Sequence, residues 1–232
     1  MKKALACLLA TCFLFSFTAC TGQKNVVLAA EDFEKAIGKD SVQVLDVRTP
    51  GEYFSGHIKG ALQADWNDRK EFERRVAFVD KTKPVYVYCL AGGRSAAAAA
   101  KLRSMGYENV LELKGGINAW RAASKPLEGD NNQPQMSLEQ FTASISGGKT
   151  VLVDFGAEWC PPCKKMEPVI KSLQAAAGDK FTLLKVDGGR DQDIMKKYGV
   201  TALPVFIVFK NGTETWRKEG VADLKELEEA VK

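Results

Sequence analysis

The sequence contains little histidine and no long run of charge of one sign. Its 232 residues include one histidine, and 33 lysine and arginine residues nearly balance 29 aspartate and glutamate residues, for a formal net charge of +4. No basic run and no patch of interleaved basic and aromatic residues stands out, which argues against nucleic acid as a partner. Flavin and nicotinamide motifs are missing too, so we expect no cofactor.

Apolar runs of the length needed to cross a membrane are also missing. The apolar run at residues 4–17 follows two lysines and is shorter than the about 20 residues that a comfortable transmembrane helix needs. A positive start followed by a short apolar run is typical of a targeting segment that is removed from the mature protein. We therefore predict a signal peptide at residues 1–19.

The residues that follow this run suggest how the mature protein is attached. Phe17-Thr18-Ala19-Cys20 resembles the lipobox of bacterial lipoproteins, which implies cleavage before Cys20 and lipidation of that cysteine. The alternative is an ordinary cleaved signal peptide whose final cysteine is incidental. Lipidation would leave residues 20–25 as a short tether. We expect a protein that is lipid-anchored in a bacterial cell envelope and faces the periplasm or the exterior.

Cysteine is scarce in the remaining chain, and its number is odd. The sequence has six cysteines. Removing the two of the signal segment and the candidate lipidation site leaves Cys89, Cys160 and Cys163. An odd number in an exported protein is incompatible with a simple disulfide framework. One pair and one free thiol fit the pattern, with Cys89 as the free thiol.

The chain divides at a polar stretch, residues 124–136, which contains two prolines and no hydrophobic periodicity. We predict a first domain at 26–128, a linker at 129–135 and a second domain at 136–232. Both halves have the α/β pattern of short apolar runs alternating with amphipathic segments. The predicted strands are 42–47, 85–89 and 110–113, then 150–157, 181–188, 204–212 and 213–220. The predicted helices are 30–38, 69–79 and 94–106, then 160–178 and 222–232.

The lone Cys89 lies between a predicted strand and a predicted helix. The residues after it can curl so that successive backbone N–H groups point at the sulfur, and the helix start adds its own free N–H groups. This arrangement would stabilise a thiolate or a persulfide anion and lower the thiol pKa. The alternative is a buried structural cysteine at a strand end. The predicted cradle consists of Leu90, Ala91, Gly92, Gly93, Arg94 and Ser95.

Three segments of the first half together resemble a single-domain rhodanese. They are residues 46–61 (DVRTPGEYFSGHIKGA), the C-x4-R loop that begins at Cys89, and residues 113–120 (LKGGINAW). The resemblance implies a sulfurtransferase in which Cys89 takes a sulfane sulfur from thiosulfate, a persulfide or a polysulfide. The loop amides and Arg94 would hold the resulting persulfide. Related phosphatases have a wider C-x5-R loop that suits phosphate, whereas the C-x4-R loop of this chain fits a sulfur atom better.

Three further residues of the same segment have predicted supporting roles. Asp46 and Arg48 match the D-V-R signature of the rhodanese family, and we predict that they support the loop rather than take part in the chemistry. His57 lies in the G-H-I turn. We favour a structural role for His57 over an acid–base role.

A second reactive site is predicted in the segment DFGAEWCPPCKKMEP. Pro161 and Pro162 suit the first positions of a helix, where a missing N–H costs little. Cys160 would then lie exposed at the positive helix end as the low-pKa nucleophile, and Cys163, one turn later, would resolve a mixed disulfide. Zinc would need two more ligands, and the only spare residues, His57 and Cys89, belong to the other half, so we expect no metal.

Residues 136–232 resemble thioredoxin, on the segments VLVDFGAEWCPPCK and KYGVTALPVFIVFKNG. The resemblance implies a redox-active Cys160–Cys163 disulfide, a buried carboxylate paired with a lysine that moves the proton of Cys163, and a cis-proline. The carboxylate and lysine are Asp154 and Lys185. The implied substrate groove contains Trp159, Pro161, Pro162, Leu203, Pro204 and Gly220. Departures from the family pattern are Gly156, Pro161 and Leu203, and the family's first strand is hard to find.

Together these features predict an α/β protein of two domains that is an enzyme with two sulfur sites. Cys89 would be loaded with sulfur, Cys160 would attack the persulfide, and Cys163 would resolve it. The alternative is a thioredoxin-type reductase of protein disulfides whose first half is only a docking module. Either activity consumes electrons, which implies a membrane thiol-electron donor as a partner, along with oxidised protein substrates.

Overall fold

The computed structural model describes residues 25–39, 42–129 and 135–232. The predicted signal peptide and Cys20 lie outside these residues. Within the described ranges, every helix is too short or too polar to cross a lipid bilayer.

The first half is built on a five-stranded sheet in which every pair of neighbouring strands is parallel, as predicted. The strand order is β1-β5-β4-β2-β3. Its strands are β1 (Val26–Leu28), β2 (Gln43–Asp46), β3 (Leu62–Gln63), β4 (Val85–Tyr88) and β5 (Val110–Leu113). Its helices are α1 (Ala30–Ile37), α2 (Pro50–Phe54), α3 (Arg69–Val76), α4 (Gly93–Ser104) and α5 (Gly116–Ala122).

Helices cover both faces of this sheet, because alternate side chains of each strand point to opposite faces. Val85 and Val87 of β4 pack in one buried cluster with α3 and α4. Tyr86 and Tyr88 pack in another with α1, α2 and α5. Burial on both faces explains why β4 is a continuous apolar run. The carboxyl ends of the strands form one edge, where Cys89 follows β4.

The second half has a four-stranded mixed sheet in the order β7-β6-β8-β9. Strand β6 pairs parallel with β7 and antiparallel with β8, and β8 pairs antiparallel with β9. The strands are β6 (Thr150–Gly156), β7 (Phe181–Asp187), β8 (Val205–Lys210) and β9 (Thr213–Glu219). The helices are α6 (Leu138–Ile145), α7 (Pro161–Ala177), α8 (Gln192–Lys197) and α9 (Leu224–Ala230).

Short elements were not predicted from the sequence. Strands β1 and β3 and helices α2, α5 and α8 are two to seven residues long, too short for a clear period. Helix α6, which opens the second half, was also missed. Within residues 135–232 no strand precedes α6.

The polar stretch that begins at residue 124 contacts the first half as far as Glu128, the last residue of the predicted first domain. His57 and Glu128 exchange backbone hydrogen bonds of 2.6 and 2.8 Å, and the Trp120 indole N–H donates to the Pro126 carbonyl. This stretch is polar because it lies at the surface, although it is hydrogen-bonded to the first half. Most of the predicted linker at 129–135 lies outside the described residues.

Candidate active sites and the contact between them

The end of β4 and the start of α4 surround the Cys89 sulfur with hydrogen-bonding groups, as predicted. Cys89 is buried, the Gly92 N–H lies 3.1 Å from its Sγ, and the Ser95 hydroxyl lies 3.5 Å away. Burial by itself would raise the pKa of the Cys89 thiol. The hydrogen bond with the Ser95 side chain, together with those from the backbone N–H groups of Ser95, Gly92 and Ala91, outweighs burial, so the pKa lies below its ordinary value. This loop favours a thiolate.

Two glycines shape the loop in ways that other residues could not. Gly92 has a φ of +109°, which turns its N–H toward the sulfur and favours glycine. Gly116 has a φ of +61°, and a Cβ there would lie 2.5 Å from the Cys89 carbonyl oxygen. This close approach lets the Ile117 N–H donate to the Cys89 carbonyl at 2.8 Å. The glycine pair of LKGGINAW therefore lets the start of α5 pack against the Cys89 loop.

The sequence reasoning missed the residue that binds Arg94. Both Nη atoms of Arg94 donate to the Glu52 carboxylate, at 2.8 and 2.6 Å. Glu52 belongs to α2 and lies 42 positions earlier in the chain. Its place three residues after Thr49 in a capping box was the available signal. Arg94 thus lies at the start of α4 beside the Cys89 loop, as predicted. Both of its Nη atoms, however, already donate to the Glu52 carboxylate.

Asp46, Arg48 and His57, the three residues with predicted supporting roles, are held by contacts at the end of β2 and in the segment that follows it. The Arg48 side chain forms a buried ion pair with Asp46, with 2.6 Å between Nη2 and Oδ2, and also donates to the Gly56 carbonyl at 2.8 Å. His57 stacks on Tyr53, with ring centroids 3.7 Å apart, and its backbone bonds to Glu128. Both contacts join the loop after β2 to the rest of the domain. They favour the structural role predicted for His57.

The second site lies at the start of α7, where Cys160 and Cys163 form a disulfide. Cys160 is the N-cap residue, and Pro161 and Pro162 occupy the first helical positions, as predicted. The peptide between Leu203 and Pro204 is cis, as the resemblance implied. The Gly220 N–H donates to the Pro204 carbonyl at 2.9 Å, which places that glycine beside the cis-proline.

One prediction about this site is wrong: Cys160 is not exposed. Its exposed fraction is 0%, and it packs in a buried cluster with Phe155 and Leu203. Trp159 packs against the same cluster. A helix start is often solvated, but this one is covered by neighbouring side chains and by the first half.

Asp154 and Cys163 converge over Gly156. A Cβ at Gly156 would lie 3.1 Å from Asp154 Oδ1 and 3.8 Å from Cys163 Cβ, so the glycine leaves room for both side chains. Burial raises the pKa of Asp154 to about 6, although the charge of Lys185 opposes the shift. Lys185 is the register partner of Asp154 on β7. A pocket of about 250 Å³ joins these three side chains, so a proton acceptor lies next to Cys163.

The two sites are brought together by contacts between the halves. The Gln63 N–H at the end of β3 donates to the Trp159 carbonyl at 2.8 Å. Arg74 Nη2 donates to the Leu203 carbonyl, also at 2.8 Å. The carbonyls that directly precede Cys160 and the cis-proline are therefore both bonded to the first half.

Side chains extend this contact around Trp159. The Trp159 ring lies 6.0 Å from the Tyr53 ring and 5.7 Å from the Phe54 ring, centroid to centroid, and the Arg75 guanidinium lies 4.9 Å above it. Phe54 also packs against Gly189, where a Cβ would lie 2.2 Å from its ring. Aromatic rings therefore form much of this contact, beside the two hydrogen bonds.

The docked edge is also the edge that carries Cys89. Gln63, Asp46 and Tyr88 are register partners across β3, β2 and β4, so they form one row near the carboxyl ends. Two strand spacings separate the ends of that row, or about 10 Å. The Trp159 backbone is bonded at one end of the row, and Cys89 follows the other.

Comparison with known proteins agrees with this two-part architecture. The family model for the rhodanese-like domain matches residues 29–123, and the model for thioredoxin matches residues 133–232. The chain is 39% identical over 138 residues to chloroplastic thioredoxin Y of Oryza sativa subsp. japonica, covering 58% of this chain and 82% of that protein. It is 38% identical over 93 residues to thioredoxin of Bacillus subtilis, covering 40% of this chain and 88% of that one.

Solved structures are similar to the first half as well. A rhodanese-related protein from Thermoplasma volcanium is 28% identical, with a TM-score of 0.41, covering 45% of this chain and 99% of its own. A rhodanese-like domain from an Anabaena species is 31% identical, with a TM-score of 0.42, covering 49% of this chain and 88% of its own. On the family models and the curated relatives, the chain belongs to the thioredoxin family through its second half and carries a rhodanese-like domain in its first.

Proposed function

We propose that this protein reduces sulfane sulfur by passing it from the rhodanese-like domain to the thioredoxin domain of the same chain. The observation that carries the proposal is the hydrogen bond from Gln63 to the carbonyl of Trp159. It joins the residue before Cys160 to the sheet edge that bears Cys89. In this proposal, the dithiol docked there receives sulfur from Cys89 without diffusion of a separate partner.

The first step loads Cys89. Its thiolate attacks the outer sulfur of a donor R–S–SH, a new S–S bond forms at Cys89, and R–S⁻ leaves. The product is Cys89–S–SH. The lowered pKa of Cys89 supplies the thiolate, and the amides of Ala91, Gly92 and Ser95 would hold the persulfide anion.

The second step transfers that sulfur to the dithiol. The Cys160 thiolate attacks the outer sulfur, which gives Cys160–S–SH and regenerates the Cys89 thiolate. The Cys163 thiolate then attacks Cys160 Sγ, so the Cys160–Cys163 disulfide forms and HS⁻ leaves. The dithiol loses two electrons and the sulfane sulfur gains them. Asp154 accepts the Cys163 proton.

The disulfide formed in this way must be reduced again for a new cycle. We propose a thiol-electron donor in the membrane for this step, together with lipid anchoring at Cys20, which would keep the two proteins on one surface in the cell envelope. Oxidised proteins are additional substrates of the dithiol in this proposal.

A second candidate function uses the same contact differently. The first half would be a docking module that presents or shields the dithiol of a protein-disulfide reductase. The aromatic packing around Trp159 favours this reading equally, because a docking contact needs no reactive cysteine. Only the chemistry of Cys89 distinguishes the two candidates.

A single-turnover experiment on the full chain separates them. The protein is fully reduced, freed of reductant, and given one equivalent of glutathione persulfide. We expect about one sulfide per chain with concomitant formation of the Cys160–Cys163 disulfide. Cys160→Ser should keep the persulfide on Cys89, detected by mass spectrometry. Cys89→Ser should release sulfide at a much lower rate while reducing insulin disulfides normally. Equal sulfide release by wild type and Cys89→Ser would support the docking candidate instead.

A further inference from the structure

The positive charge at the mouth of the Cys89 loop is already neutralised. Arg94 uses both Nη atoms on Glu52 in a bidentate pair, at 2.8 and 2.6 Å. Such paired hydrogen bonds between a guanidinium and a carboxylate are among the strong ones in proteins. The rest of the loop, Leu90 to Gly93, carries no charge. Among the described residues, the Cys89 loop therefore has no unpaired cation that could bind an incoming anion.

Glu52 is fixed in place rather than free to swing away. Its carboxylate accepts hydrogen bonds from the Thr49 N–H at 3.1 Å and from the Thr49 hydroxyl at 2.9 Å. The hydrogen bonds from Arg94 are the main cause that lowers the Glu52 pKa to about 2. Glu52 is thus ionised at every physiological pH. Asp65 adds a second negative charge close enough to act on Arg94.

The rim of the loop offers apolar surface instead. Leu90 follows Cys89 directly and is 39% exposed, one of the few large apolar side chains with that exposure among the described residues. An organic group attached to the transferred sulfur could pack on it. A small inorganic dianion gains nothing from such a contact.

We propose that Glu52 is a specificity-determining residue that excludes dianionic sulfur donors and selects organic persulfides. This inference rests on the proposed function, because it concerns the loading of Cys89. Loading from an organic persulfide, R–S–SH, breaks its S–S bond and releases R–S⁻. This reaction brings one negative charge to the reacting sulfurs. Loading from thiosulfate releases sulfite and brings two negative charges beside Glu52.

The test measures loading alone, in the full chain with Cys160→Ser and Cys163→Ser so that sulfur stays on Cys89. The rate of persulfide formation on Cys89 is followed by mass spectrometry with thiosulfate and with glutathione persulfide. Glu52→Gln keeps acceptors for Thr49 but removes the charge. We expect it to raise the thiosulfate rate relative to the persulfide rate by about tenfold, the usual scale of one charged hydrogen bond.

Three companion variants make the result specific. Glu52→Asp retains the charge and should stay within about twofold of the parent ratio. Glu73→Gln breaks another carboxylate pair of the first half, with Lys101 at 2.7 Å, and should leave the ratio unchanged. Leu90→Lys adds a cation at an exposed position and should raise the ratio even if Glu52→Gln folds poorly.

The outcomes are distinguishable. An unchanged ratio in both Glu52→Gln and Leu90→Lys, with Cys89 loaded normally, overturns the role of Glu52 and leaves the proposed function intact. Failure of both donors to load Cys89 in the parent and in all variants overturns the proposed function itself. Higher salt should reduce the effect of Glu52→Gln, because the site is only partly buried.

Discussion

At the scale of single residues, the two sulfur sites are tuned by different means. Cys89 is stabilised as a thiolate by amide and hydroxyl hydrogen bonds that outweigh its burial. Asp154 has a pKa raised to about 6 because it is buried, and it lies over the same glycine as Cys163. A carboxylate with a pKa near neutrality is suited to exchange a proton with a thiol.

Asp154→Ala should therefore slow turnover of the dithiol in a pH-dependent way. Above about pH 6 the wild-type carboxylate is ionised and accepts the Cys163 proton, whereas the variant must wait for the free thiolate, whose ordinary pKa is about 8.5. We expect the largest deficit between about pH 6 and 8, and recovery above pH 9. Stopped-flow oxidation of the reduced protein measures this, with Asp179→Ala as a surface control. A pH–rate profile unchanged by Asp154→Ala would limit Asp154 to a role in folding.

The same raised pKa predicts an effect on stability. A carboxyl whose folded pKa lies above its unfolded value destabilises the folded state as pH rises from about 4 through 6, because the unfolded state ionises first. Asp154→Asn should then increase the free energy of unfolding at pH 7 by about 1–2 kcal/mol and have little effect below about pH 4. Urea unfolding at both pH values checks this. An equal effect at both would exclude the titration of Asp154 as the cause.

At the scale of secondary-structure elements, helix starts organise both sites. Helix α4 begins at Gly93 below the Cys89 sulfur, and α7 begins at Pro161 after Cys160. The start of α5 supports the first loop, because Ile117 and Asn118 donate to the carbonyls of Cys89 and Leu90. The shape of the Cys89 loop thus depends on how closely α5 approaches it.

Gly116→Ala should impair Cys89 and spare the dithiol. The added Cβ would lie 2.5 Å from the Cys89 carbonyl oxygen, so the loop must move and its amides lose their alignment with the sulfur. We expect at least a tenfold slower persulfide loading with unchanged insulin reduction. Gly60→Ala is the matched control, because it shares a positive φ, +69° against +61°, but has open space around it. Equal losses in both variants would point to backbone strain alone.

At the scale of the whole molecule, the contact between the halves covers the dithiol. The carbonyls before Cys160 and before Pro204 are occupied by Gln63 and Arg74, and Phe54 fills the space beside Trp159. A separate protein substrate would need the same surface. Under the proposed function, we therefore expect transfer within the chain to be favoured over reduction of other proteins.

Loosening this contact should shift activity between the two reactions. Arg74→Ala combined with Phe54→Ala should speed alkylation of reduced Cys160 and insulin reduction several-fold, while slowing single-turnover sulfide release from Cys89 persulfide. Arg69→Ala is a suitable control, since it lies on the same helix but its guanidinium stacks on Trp66 of its own domain. Should the double variant leave all three rates unchanged, the contact does not control access to the dithiol.

Attachment to the membrane is a separate prediction for the whole molecule. Cys20→Ala should release the protein into the soluble fraction, because the proposed lipidation site is lost, without changing either proposed activity in extracts. Fractionation with immunodetection measures this. Continued membrane retention of the variant would rule out anchoring through Cys20, which lies outside the described residues.

The sequence by itself determined the features that depend on local chemistry. These include the two α/β halves, the loop of amides around Cys89, the prolines that open α7 and the identity of Cys160 and Cys163 as a pair. Apolar periodicity, glycines and helix starts are patterns within a few neighbouring residues, so they can be recognised in the sequence without a structure. The cis peptide before Pro204 followed from resemblance rather than from physics.

The tertiary structure alone decided what distant segments do to one another. The pairing of Arg94 with Glu52 joins residues 42 positions apart, and Arg74 reaches the Leu203 carbonyl across 129. Cys160 is buried rather than exposed because side chains and a second domain cover a helix start that the local pattern would leave open. Contacts of this kind are set by how packed surfaces fit together, and no local sequence pattern encodes that fit.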